Sequence, residues 1–224
     1  RREHPDDSRM SEARANSTKT VCVVRGPLPA DGTPEFTLPD EPGLEAFAIH
    51  PPCADEPAEH PDDVTAVAMA WLDGPPDPAA PQRWFPDAHV DAYLVEEHVR
   101  VDYNKDWPDG IESPGVRRIS FVRAAPGLSR SEMARHWSDV HWPIARVHHP
   151  GLWRYVQNVV VEPITPDAPA VDGIAELHFR SIADLRDRFY DSDEGRQIVA
   201  EDVRAFLDRG AGWRVLARET WLRS

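Results

Sequence analysis

With 224 residues, 41% of them hydrophobic, the chain is long enough to bury a core as one large domain or two small ones. No apolar run approaches the roughly 20 residues that span a bilayer. A formal net charge of −14 repels phosphate backbones and anionic lipid heads, which argues against nucleic-acid and membrane partners. The two cysteines, Cys22 and Cys53, lack CxxC spacing. They speak against a disulfide framework or a structural zinc site and suit a reducing, cytoplasmic setting.

In chain order, residues 1–18 carry charge and no apolar stretch, and read as a disordered arm rather than a secretory signal. Val21–Arg25 is the first predicted strand. Many of the 23 prolines fall between residues 27 and 86, so that stretch is loop-rich. Strands are predicted near 44–50, 67–73 and 94–99 from their β-branched and aromatic content. The connections between them hold Gly26-Pro27-Leu28-Pro29 and Gly74-Pro75-Pro76-Asp77-Pro78, which leave no room for a helix of normal length.

Past Ile119–Arg123, another predicted strand, the pattern changes. Ser129 with Glu132 three residues on forms a capping box, and Met133, Trp137, Val140 and Ile144 then mark one helical face. Pro143 removes the hydrogen bond to the Asp139 carbonyl and should loosen that helix. Strands follow at 154–158 and 174–180. A second helix follows Ser181, with Ile182, Leu185 and Phe189 as its stripe, and a further helical stretch runs through Ile198, Val203 and Phe206. The last strand covers 216–221.

The two halves repeat one another. Pro42-Gly43-Leu44 matches Pro150-Gly151-Leu152 at a spacing of 108 residues, and Val67–Asp73 matches Ile174–Arg180 at 107. Two further strand pairs keep the same order. A period of this size means duplicated domains. The second copy reads β-α-β-β-α-β, the split βαβ motif. The first copy reads as the same unit without its helices. The expected organisation is a helix-poor ferredoxin-like domain over 19–110 and a complete one over 116–224.

Residues 116–222 resemble the EthD family. The resemblance rests on Leu128–Pro143, Arg154-Tyr155-Val156-Gln157-Asn158, Asp172–Leu177 and Glu201–Asp208. It implies an α+β fold: tandem ferredoxin-like domains forming, within one chain, the dimeric α+β barrel, with the two sheets packed face to face. It also implies chemistry without a cofactor, in the manner of the dehydratases, cyclases and isomerases among the relatives.

His141 matches the family's characteristic histidine. An imidazole exchanges protons near neutral pH, and this one lies beside the turn that Pro143 disturbs. The competing reading is that it caps that turn. His136, five residues earlier, should point about 140° away on a regular helix, so the two would not share a metal. His148 and His149 read as a solvated pair, and no metal site is expected. Strand alternation puts Glu176 and His178 inside the barrel, with Tyr155 as a further candidate there. These groups either pair with one another or line a wet cavity.

The expected catalytic set is therefore His141, Tyr155, Glu176 and His178. The expected substrate contacts are Asn158, Trp137 and Ser120, with Phe47, Met69 and Trp71 of the first copy as an apolar wall. The eight tryptophans suit a hydrophobic or aromatic ligand. Three functions compete: a cofactor-independent lyase or isomerase on a cyclic or polyketide-like carbonyl compound, a non-catalytic binding protein, and an oxygenase. A haem-using form of the last would look to His178 for its axial ligand. Pairing of two chains into a homodimer stays open.

Overall fold

The computed structural model describes residues 17–26, 36–53, 61 and 63–224. The expected arm, all but its last two residues, lies outside that range, as does most of the first proline-rich connection. The first half supplies β1 (Thr18–Arg25), β2 (Leu44–His50), β3 (Val64–Leu72), the short helix α1 (Ala80–Trp84) and β4 (His89–Val101). The second half supplies β5 (Val116–Val122), α2 (Arg130–His136), a π-helical turn (Trp137–His141), α3 (Trp142–His148), β6 (Leu152–Pro163) and β7 (Gly173–Phe179). It ends with α4 (Ile182–Asp187), α5 (Asp193–Phe206), β8 (Trp213–Ala217) and β9 (Thr220–Arg223). Among the described residues no helix is long and apolar enough to cross a membrane.

Among the described residues, nine strands join one antiparallel sheet in the order β8-β5-β7-β6-β4-β1-β3-β2-β9. Each half keeps the fourth-first-third-second order of a ferredoxin-like unit. The halves face one another across the barrel core and are also joined edge to edge at two hydrogen-bonded seams. β4 is long enough to pair with β1 at one end (Lys19↔Val95) and with β6 at the other (Val99↔Val156). The C-terminal strand does the same for the opposite seam: β8 pairs with β5, and two residues later β9 pairs with β2. Ala217 faces Arg117 on one side and bridges Pro52 on the other, which closes the sheet into a barrel. Closure removes free edges, so the backbone groups of both seams are paired.

Three apolar clusters follow from this geometry. One fills the barrel, with Val21, Met69 and Trp71 of the first half against Ile119, Ile174 and Val215 of the second. A second lies on the outer face of the first half's sheet, where Phe47 and Ile49 sit under Leu38, Trp84 and Phe85. Among the described residues of this half, one five-residue helix and irregular chain cover the face that helices cover in the second half. The third lies on the outer face of the second half's sheet, where Met133, Trp137 and Phe206 cover Tyr155 and Ala175.

The capping box of α2 forms as expected: the Ser129 side chain accepts from the Glu132 N–H, and the Glu132 carboxylate accepts from the Ser129 N–H at 2.8 Å. Ser129→Ala should lower unfolding free energy by about 1 kcal/mol. A urea titration reads this directly, and a midpoint unchanged within error would mean that tertiary packing alone holds the helix.

Candidate active site beneath the helices of the second half

A cavity of about 350 Å³ lies between the outer face of the second half's sheet and its helices. Ser120, Tyr155 and Leu177 rise from the strands, and Trp137, His141 and Phe206 come down from the helices. Gly173 makes room for this arrangement. A Cβ there would sit 2.6 Å from the Trp137 ring, so the indole packs flat on the strand. A second cavity of about 660 Å³ borders β4 and is lined by Lys19, Glu97, Asp102 and Arg154, whose charges already neutralise one another.

The π-helical turn decides which side chains meet. Pro143 has no N–H to give the Asp139 carbonyl. The helix widens before it, and the Trp142 N–H bonds the Trp137 carbonyl five residues back. In such a turn, residues five apart approach the same side. His136 and His141, expected to diverge on a regular helix, therefore converge on Asp202 of α5. His136 Nε2 lies 2.7 Å from Asp202 Oδ1, and His141 Nδ1 lies 2.7 Å from Oδ2.

Partial burial alone would raise the Asp202 pKa, but the hydrogen bonds from His141 and His136 hold it below the ordinary carboxylate range. A carboxylate only accepts, so Nδ1 of His141 donates. In the neutral ring the lone pair is then on Nε2, and no protein group among the described residues pairs with it. Phe206 packs against both rings, stacked on His136 at 4.7 Å and tilted to His141 at 5.1 Å.

Tyr155 is the second polar group in the cavity. Its hydroxyl oxygen accepts from Trp137 Nε1 at 2.9 Å and from Gln157 Nε2 at 3.3 Å. Burial pushes its pKa up to about 12, so it stays protonated at neutral pH. With both acceptor positions used, the phenol proton is the part left for a ligand. His149, read from sequence as solvated, is buried and lines the same cavity. Its Nδ1 donates to the Phe189 carbonyl, and burial lowers its pKa to about 4.

The remaining expected site residues lie elsewhere. Glu176, His178 and Asn158 point into the barrel, on the far side of the sheet from His141 and Tyr155. Tyr155 itself faces the helices rather than the barrel. Glu176 is fully paired: Lys19 at 2.5 Å, Arg117 at 2.8 Å, Arg154 at 3.3 Å and Asn158 Nδ2 at 2.9 Å. Burial would raise its pKa, but these cations hold it far below the usual carboxylate range.

His178 donates from Nε2 to the Pro114 carbonyl at 3.0 Å and faces Arg117 through Nδ1 at 3.4 Å. Burial and the Arg117 charge push its pKa down to about 3. Both ring nitrogens are thus engaged, which removes His178 as an axial haem ligand.

Met69 and Trp71 also sit inside the barrel, where Trp71 stacks on Trp221 and donates to Glu97 at 2.9 Å. Phe47 faces outward against Trp84. None of the three walls the helix-roofed cavity. Of the ten expected residues, that cavity brings together four: His141, Tyr155, Trp137 and Ser120. Among the described residues no group of three or more His, Cys, Asp or Glu side chains is arranged to hold a metal ion.

A closed barrel of two fused ferredoxin-like halves, with a helix-roofed pocket, has the architecture of a dimeric α+β barrel built within one chain. Residues 125–210, from the approach to α2 through the end of α5, match the family model of the EthD domain. A solved structure of an anthrone oxidase-like protein aligns with 94% of this chain and 96% of its own, with a TM-score of 0.62 and 12% sequence identity. That likeness shows a shared fold. No curated protein sequence matches the chain.

Proposed function

We propose that the helix-roofed cavity is the active site of a cofactor-independent lyase or isomerase that acts on a cyclic or polyketide-like carbonyl compound. One observation carries this reading: His141, oriented through Nδ1 by Asp202, presents an unshared Nε2 to an aromatic-lined cavity that also holds the Tyr155 hydroxyl. Nε2 takes a proton from the carbon next to the substrate carbonyl. The Tyr155 proton hydrogen-bonds the carbonyl oxygen as negative charge grows on it. Asp202 stabilises the imidazolium that results. The same ring then returns its proton, to a departing hydroxyl in a dehydration or to another carbon in an isomerisation. Enclosure by Trp137 and Phe206 keeps bulk water from the enolate.

The test has two stages. Mass spectrometry of small molecules that co-purify with the protein identifies the ligand. That ligand is then incubated with the protein in deuterated buffer. Deuterium at the carbon next to the carbonyl, or a product changed by loss of water or by rearrangement, is the expected result. A ligand returned unlabelled and unchanged would make the protein a binding module instead. An oxygenase is the second reading, favoured by the likeness to the anthrone oxidase-like fold. It predicts dissolved-oxygen consumption in step with product, which proton transfer alone does not.

A further inference from the structure

We infer that His149 binds the ligand of this cavity: its Nε2 accepts a hydrogen bond from a ring hydroxyl, so the site takes hydroxylated aromatic compounds. The inference rests on the reading of this cavity as the ligand site, and it adds a substrate class to it.

His149 is the residue at which the chain leaves α3, and its N–H still bonds the Ala145 carbonyl at 2.9 Å. The ring turns off the helix end against Phe189 and Tyr190, which lie between α4 and α5, at 4.7 and 5.1 Å. Only 5% of the residue is exposed, and it lines the cavity. Nδ1 donates to the Phe189 carbonyl. A carbonyl only accepts, so the proton of the neutral ring is on Nδ1 and the lone pair is on Nε2. Among the described residues no protein group pairs with Nε2, and the atom is not sealed off from open space. A buried acceptor normally has a donor. A ligand hydroxyl in the cavity supplies one.

The two histidines of the cavity are backed by different groups. His141 leans on the Asp202 carboxylate, which supports positive charge on the ring. His149 leans on a neutral carbonyl. Burial lowers its pKa to about 4 against the pull of that carbonyl, and positive charge on His141, Arg118 and His148 acts in the same direction as burial. His149 therefore stays neutral through a cycle in which His141 gains and returns a proton. A neutral ring with Nδ1 engaged offers a lone pair and nothing else. It repels the oxygen of a carboxylate or carbonyl and receives an O–H. Tyr155 has the opposite preference, because its free proton meets a carbonyl oxygen. A flat ligand bearing both a hydroxyl and a carbonyl satisfies the two, and Phe189, Ala145 and Val199 give it apolar wall.

A purely structural histidine would tie the end of α3 to Phe189 and use Nδ1 alone. Two substitutions separate the roles. In His149→Asn the amide N–H takes the place of Nδ1–H, which keeps the bond to Phe189 and removes the outer acceptor. In His149→Gln the amide reaches the place of Nε2, which restores an acceptor and gives up the bond to Phe189.

The experiment is equilibrium dialysis of the full chain at neutral pH with 2-naphthol and 2-methoxynaphthalene, which keep the same ring system with and without the hydroxyl proton. The wild-type protein should bind 2-naphthol at least about tenfold more tightly. In His149→Asn that preference should fall below about threefold, with 2-methoxynaphthalene affinity unchanged within about threefold. His149→Gln and His141→Ala should both retain the preference.

Should a variant fail to fold, the wild-type preference decides alone. Equal affinity for the two probes in the wild-type protein overturns the hydroxyl assignment while leaving the cavity as the ligand site. A preference kept in His149→Asn and lost in His149→Gln marks a structural histidine and overturns it as well. A preference kept in His149→Asn and lost in His141→Ala gives the hydroxyl to His141 instead. Binding of neither probe overturns the assignment together with the aromatic ligand class on which it rests.

Discussion

Glu176→Ala should lower the unfolding free energy by about 3–5 kcal/mol, the usual effect of stranding buried charge. Glu176 is the hub on which Lys19, Arg117 and Arg154 converge inside the barrel. Arg117 is also paired with Glu219, Arg154 with Asp102 and Lys19 with Glu97, so each cation keeps one carboxylate and loses the one they share. The alanine variant leaves three cations facing a gap in a low-dielectric interior. Guanidinium titration of both proteins measures the difference. A loss below about 1 kcal/mol would mean that water or the remaining carboxylates re-neutralise the cluster.

The same cluster sets the acid response. The Glu176 pKa in the folded protein lies below its ordinary value of 4.5, so its stabilising contribution is complete above pH 4.5 and is lost as pH falls below it. His178 acts in the same direction at higher pH. The unfolded chain takes up its proton near pH 6.5, whereas the folded ring resists until about pH 3. Stability should therefore decline steadily from about pH 6.5 downward, and a thermal unfolding series across that range reads the decline. In Glu176→Gln the part of the slope below pH 4.5 should flatten, while the part set by His178 remains.

His141→Ala should cut turnover of the identified substrate by about 10²–10⁴-fold, the range over which a positioned acid-base group acts. Binding should survive within a few-fold, because Trp137 and Tyr155 are untouched. Asp202→Asn should reduce turnover less. It should also move the pH profile, since an amide no longer fixes the imidazole tautomer or supports its protonated form. Stopped assays across pH, with a ligand titration on each variant, separate the two effects. Near-normal turnover by His141→Ala would remove His141 from the mechanism.

How much of this was legible from sequence differed by level. The strand order was visible because the pairs 42–50 with 150–158 and 67–73 with 174–180 recur at nearly constant spacing, and alternation placed Glu176 and His178 in the barrel correctly. The edge-to-edge seams were not visible. They depend on β4 running 13 residues and on β8 continuing into β9 after a short break, lengths that hydrophobic pattern does not reveal.

At the site, Ser120, Trp137, His141 and Tyr155 came from resemblance and alternation, but their partner did not. A regular helix puts His136 and His141 on different sides, and only the wider turn before Pro143 brings both to Asp202. The signal that existed was Asp202 itself, three residues after Val199 and four before Phe206 on the buried side of its helix. Tyr155 was assigned to the barrel because a strand's two faces were both hydrophobic enough to be interior. In a closed barrel roofed by helices, both are.

The closing seam has a consequence for how the chain reaches this state. Phe47 pairs with Arg223, so a contact near the beginning waits for residues at the far end. Until then the first half carries two unpaired strand edges, β2 and β4, and an apolar inner face with nothing opposite it. Such long-range pairings close slowly, and open edges invite pairing between molecules. The hazardous species during synthesis is thus the first half alone, a sheet finished on its outer side and sticky on its inner one.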